Sequence, residues 1–162
     1  MKNIVLIGMP GSGKTTIGKL LAKELGMSFI DMDDYIQKTE QKSIKELFAQ
    51  GEIYFRDAET RCAEELSKLN YHVIAAGGGI VVRKENIDHL KKSSIIVFID
   101  RTVENIISDI DCETRPLLAE GAERLYKLYN DRIKLYKSYC NIEIDNNESA
   151  AAAVSEIIRK IH

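Results

Sequence analysis

Gly8-Met9-Pro10-Gly11-Ser12-Gly13-Lys14-Thr15 fits the phosphate-binding loop pattern G-x-x-x-x-G-K-[ST] and follows the apolar run Asn3-Ile4-Val5-Leu6-Ile7. With glycine at about 7% of ordinary usage, chance would produce such a match in roughly fewer than one chain in a hundred of this length. The flanks agree with the loop. A β-branched run enters it, and Ile17, Leu20, Leu21 and Leu25 leave it at helical spacing. Glycines let successive backbone N–H groups curl toward phosphate oxygens, and a helix N-terminus adds its positive end. Lys14 has the reach for β- and γ-phosphates, and the Thr15 hydroxyl is a ligand for Mg²⁺. These residues imply a nucleoside triphosphate, and a mere glycine-rich turn with a surface lysine is the weaker reading.

The rest of the composition bounds what such a chain does. Its 162 residues suffice for one domain, 1–162, with a real core; 44% are hydrophobic and 30% charged. A net charge of -2 gives no support for nucleic acid or an anionic membrane as partner. No apolar run nears the ~18 residues that span a bilayer. Cys62, Cys112 and Cys140 are odd in number and scattered, so they are expected to be free thiols in a cytoplasmic protein.

Outward from the loop, strand and helix signals alternate, which predicts an α/β fold: a parallel sheet covered by helices on both faces. Strands are expected near 3–7, 28–30, 71–75, 94–99 and 141–144. Helices are expected near 14–25, 35–39, 43–49, 53–68, 85–92, 103–108 and 123–139, with a final one carrying Ala150, Val154, Ile157, Ile158 and Ile161. Gly26 reads as a helix C-cap. The segment 109–121 has little periodicity. In such sheets ligands bind beyond the carboxyl ends of the strands. Four signals fall there: the phosphate loop, Asp31-Met32-Asp33-Asp34, Gly77-Gly78-Gly79, and Arg115-Pro116.

Each signal has a plainer reading beside the chemical one. Aspartates after a strand cap helices, and at least one of these three is expected to do so. Asp31 and Asp33, two apart on extended chain, are also expected to project in a similar direction, one toward a metal-bound water and one toward a substrate hydroxyl. Arg56 and Glu59 fit either a surface i,i+3 ion pair or an arginine oriented to receive a carboxylate; spacing leaves the two level. Arg132 occupies the inward seam of Leu125, Leu128, Leu135 and Tyr139, which favours anion binding over a snorkelling side chain. Three glycines at a strand end suit close backbone approach to a ligand. Arg115, in a loop whose other charges are acidic, suits a lid that brings positive charge to a transferring phosphate. Tyr126, Tyr129, Tyr136 and Tyr139 read as helix packing.

Taken together, the chain resembles the shikimate kinase family, within the nucleoside-monophosphate-kinase structural class. The likeness runs nearly end to end. It rests on Gly8 to Thr16, on Phe29-Ile30-Asp31-Met32-Asp33, on Gly51-Glu52 with Phe55-Arg56 and Glu59, and on Gly77-Gly78-Gly79. Arg115-Pro116-Leu117-Leu118 and Arg132 with Leu135-Tyr136 complete it.

The resemblance implies a three-layer P-loop kinase fold with strand order 2-3-1-4-5, a substrate-binding helical region at about 32–60 and a lid at about 109–123. It implies ATP and Mg²⁺, and transfer of the γ-phosphoryl group to the 3-hydroxyl of shikimate by a monomeric enzyme of aromatic amino acid and chorismate biosynthesis. Gly11, Ser12, Gly13, Lys14, Thr15, Thr16 and Arg115 would hold the nucleotide, and Thr15 and Asp31 the metal. Asp33 would be the base. Lys14 and Arg115 would stabilise transferring charge. Arg56, Arg132 and the backbone of Gly77, Gly78 and Gly79 would hold the acid, with Glu59 orienting Arg56. The chain differs from many members at Ser108, where a basic residue is common, at Ala75, where a hydroxyl is common, and in lacking a proline just after Arg132. These differences bear on nucleotide and Mg²⁺ contacts. Rival readings are a kinase of gluconate or a nucleoside monophosphate, or a nucleotide-binding regulatory module without catalysis.

Overall fold

The computed structural model describes residues 1–111 and 120–162, so Arg115, Pro116 and most of the expected lid lie outside the described residues. Its centre is β1 (Asn3–Ile7), in which every residue is buried. Alternate side chains of this strand serve two cores. Val5 and Ile7 join Ile74, Ile96 and Phe98 on one face, while Ile4 and Leu6 join Val73, Val97, Ile99 and Ile144 on the other. That is why the strand reads as an unbroken apolar run: a parallel strand covered on both faces has no polar side to display.

Five parallel strands are ordered β2-β3-β1-β4-β5, the remaining four being β2 (Ser28–Asp31), β3 (His72–Ala75), β4 (Ser94–Asp100) and β5 (Ile142–Asp145). Helices α1 (Lys14–Leu25) and α8 (Ala150–Ile161) pack on the Leu6 face through Ile17, Leu21, Val154 and Ile157. On the opposite face lie α2 (Met32–Glu40), α3 (Ile44–Ala49), α4 (Glu52–Leu66), α5 (Lys84–Lys91), α6 (Val103–Asp111) and α7 (Glu120–Tyr139). A 3-10 turn, Ile80–Val82, follows the triple glycine and has no counterpart in the sequence reading.

Register carries this architecture to the site. Asp31 pairs with Ala75, Ala75 with Leu6, and Ile7 with Phe98. The phosphate loop, the aspartates and the triple glycine therefore leave the sheet along one edge. Helix α1 has the bounds expected from its periodicity, and Gly26 ends it in the left-handed conformation with φ 66°. Among the described residues no helix is long and apolar enough to cross a membrane.

Candidate active site

The phosphate loop closes on Gly13, whose φ of 98° and ψ of 13° lie in the left-handed region that favours glycine. A second constraint acts at the same residue. Asn146 follows β5, its Nδ2 donates to Ser12 O at 2.8 Å, and a Cβ on Gly13 would stand 2.5 Å from that nitrogen. Arg101 Nη1 donates to Gly11 O at 3.0 Å and pairs with Asp109 at 2.7 Å. Two successive loop carbonyls are thus held from outside. In a trans peptide the N–H points opposite its carbonyl, so the Gly13 amide faces inward.

Lys14 is buried, and its Nζ donates to the carbonyls of Gly8 and Met9, each at 2.8 Å. Burial lowers its pKa to about 8, against the opposing pull of the Asp33 and Asp31 charges; the positive charge of Arg132 depresses it further. Thr15 and Thr16 are exposed in the first turn of α1. The Thr15 hydroxyl donates to Asp31 Oδ2 at 3.0 Å.

Asp31 has a further structural duty. Its Oδ1 accepts the Asp34 N–H at 3.1 Å, which makes Asp31 the N-cap of α2. The helix consequently begins at Met32, earlier than expected. Asp31 and Asp33 therefore do not lie two apart on extended chain; Asp33 stands in the first helical turn. The two charges still sense one another. Burial foremost, then the Asp31 charge, raises the Asp33 pKa, with Lys14 and Arg56 pulling the other way.

Gly77 shows how close Asp33 comes to the substrate side. A Cβ there would lie 3.0 Å from Asp33 Oδ1 and 3.4 Å from Glu59 Oε2. Gly79 serves Arg56 in the same way, since any side chain at that position would overlap the guanidinium. Arg56 is 7% exposed. Its Nη1 donates to Glu59 Oε1 at 2.9 Å and to Gly79 O at 3.3 Å, and its Nε lies 3.5 Å from Glu52. Phe55 and Phe48 flank the guanidinium, with ring centroids 5.3 and 5.9 Å away. The Arg56–Glu59 pair is therefore buried, not a surface i,i+3 pair. Burial raises the Glu59 pKa, opposed by Arg56.

Arg132 faces this cluster from α7, close enough for its charge to act on Lys14, Glu59 and Tyr136. Among the described residues, a lysine in a phosphate loop, two arginines and a carboxylate of raised pKa lie near enough for their charges to act on one another. Such an arrangement can hold a polyphosphate on one side and a small anion on the other, with a base between them. Sequence reasoning passed over Asn146 and Arg101, and read Tyr136 as helix packing. For Tyr136 the available signal was its position four residues after Arg132.

The fold and this edge define a P-loop kinase, a phosphotransferase class built on a five-stranded parallel sheet. A family model described as shikimate kinase matches residues 10–162. A shikimate kinase of Clostridium beijerinckii is 50% identical over 158 residues, covering 97% of this chain and 94% of the relative. Among solved structures, shikimate kinase from Acinetobacter baumannii in complex with shikimate superposes with a TM-score of 0.90 at 33% identity, covering 99% of this chain and 93% of the other. Shikimate kinase from Aquifex aeolicus does so with a TM-score of 0.84 at 32% identity, covering 98% and 95%. The chain belongs to the shikimate kinase family.

Proposed function

We propose that the protein transfers the γ-phosphoryl group of ATP to the 3-hydroxyl of shikimate, giving shikimate 3-phosphate and ADP. The observation that carries this reading is the match between site and acceptor. Two arginines, 56 and 132, suit one carboxylate, and one aspartate, 33, suits a hydroxyl. The family membership and the shikimate complex of the Acinetobacter baumannii relative support the same choice.

In this reading the Gly11–Thr16 segment cradles the triphosphate with inward amides, and Lys14 leaves its loop carbonyls to follow the β- and γ-phosphates. Arg56 and Arg132 hold the acceptor carboxylate, with Glu59 orienting Arg56 and the backbone of Gly77, Gly78 and Gly79 admitting the ring. Asp33 takes the proton of the 3-hydroxyl as that oxygen bonds to the γ-phosphorus and the bond to the ADP oxygen breaks. Lys14 offsets charge on the transferring group, joined by Arg115 from the lid at about 109–123. The acceptor region spans about 32–60.

Thr15 Oγ1 and Asp31 Oδ2, 3.0 Å apart beside the phosphate loop, fit Mg²⁺, a hard cation that takes few protein oxygens beside phosphate and water. When bound, Mg²⁺ neutralises phosphate charge as it develops. A monomeric, cytoplasmic enzyme completes the reading, in keeping with free thiols at Cys62 and Cys140.

The test is ADP release in a coupled assay with Mg·ATP and shikimate, gluconate or a nucleoside monophosphate. Shikimate-dependent release is expected. Turnover of either rival acceptor without shikimate turnover would overturn the proposal, and ATP binding without any acceptor-dependent release would mark a regulatory module.

A further inference from the structure

The three glycines after β3 leave two adjacent backbone amides, Gly78 and Gly79, that donate to nothing among the described residues. One neighbouring contact determines how they are aimed. Tyr136, on α7, is 0% exposed, and its hydroxyl donates to Gly78 O at 2.6 Å. Its ring stacks on Phe98 of the central sheet, centroid to centroid 5.1 Å, which fixes the oxygen's position. Arg132, one helical turn earlier, lies close enough for its charge to act on the same hydroxyl. The Gly78–Gly79 peptide is trans, so a carbonyl drawn toward α7 turns the Gly79 N–H away from it. The Cα of that same Gly79 lies against the Arg56 guanidinium. Gly78 itself packs on Pro10 of the phosphate loop, where a Cβ would come within 2.8 Å of the proline ring.

We propose that Tyr136 is a positioning residue for the acceptor carboxylate: through its hydroxyl it locks the Gly78–Gly79 peptide with the Gly79 N–H facing the anion. This rests on the acceptor reading above. The carboxylate then meets three donors on a common frame, Arg56, Arg132 and one amide. Of the three, the amide is the one that the Tyr136 hydroxyl aims. Removing that oxygen leaves the donors present but lets the peptide turn.

The test is Tyr136→Phe, which keeps the ring and its stack on Phe98. The expected result is a rise in KM for shikimate of roughly three- to tenfold, the worth of one hydrogen bond, with kcat and KM for ATP within about twofold of wild type. The Arg132→Ala variant should hide part of the effect, because Arg132 and the Gly79 amide would serve the same carboxylate. An analogue bearing a hydroxymethyl group in place of the carboxylate should show no difference between wild type and Tyr136→Phe. A lowered thermal midpoint with an unchanged KM for shikimate would overturn the proposal, and so would an equal rise in both Michaelis constants. Wild type that fails to turn over shikimate would instead sink the acceptor reading itself.

Discussion

Arg56 and Glu59 meet at 2.9 Å with side-chain exposures of 8% and 1%, one turn apart on α4. A pair this sheltered depends on both partners, since either one alone is an uncompensated charge in a low-dielectric setting. Glu59→Ala is expected to cost ~3–5 kcal/mol, a fall in thermal midpoint of roughly 6 to 20 °C for a domain of this size. Arg56→Ala should raise KM for shikimate by roughly 10- to 100-fold, the range for charge-assisted hydrogen bonds, with KM for ATP nearly unchanged. Thermal melts, and steady-state kinetics with shikimate and ATP varied in turn, measure these separately. A surface pair would move neither quantity appreciably.

Asp33 holds its negative charge against burial and against Asp31, and its pKa is raised accordingly. Above that raised value the charge is a cost to the folded state, so stability should increase as pH falls through it. Asp33→Asn removes the cost together with the base. It is expected to lower kcat about 10²- to 10⁴-fold while leaving ADP affinity within a few-fold, and to raise the thermal midpoint at neutral pH. A variant that loses activity and stability together would show a structural role instead.

Lys14 gives a pH signature of opposite kind. Its pKa falls to about 8 in the folded protein from an ordinary 10.5, chiefly through burial. Between those values the unfolded chain binds more protons, so this group's cost to folding is present below pH 8 and fades as pH rises toward 10.5. Phosphate brought to the ammonium favours its charged form. ADP binding at about pH 8.5 should therefore take up a fraction of a proton, and affinity should decline as pH rises through 8. Calorimetry in buffers of different ionisation enthalpy reads the uptake; zero uptake at that pH would contradict the shift.

Much of this site was legible because several residue-level signals coincide at single points. Helix α1 emerged at its observed bounds from the phosphate-loop pattern, helical spacing and Gly26 together. Helix α2 was read too short, since Asp31 was weighed as a ligand and as a cap without its cap moving the helix start to Met32. The Arg56–Glu59 pair could not be resolved by spacing, because i,i+3 geometry is the same on a wet or a dry face and only the packing of Phe48, Phe55 and Gly79 decides it. Tyr136 was hidden for a related reason. Four tyrosines on one helix look alike in sequence, and the partner that distinguishes this one is a backbone carbonyl 58 residues away.

The Asn146 clamp on Ser12 spans 134 residues and joins the strand made last to the loop made first. A ribosome-bound chain that has emerged only through β4 already contains every residue of the phosphate loop pattern, yet lacks the side chain that turns its Gly13 amide inward. Competence to grip a nucleotide should thus arrive late and all at once, when the final strand docks, so that a half-made chain does not sequester ATP.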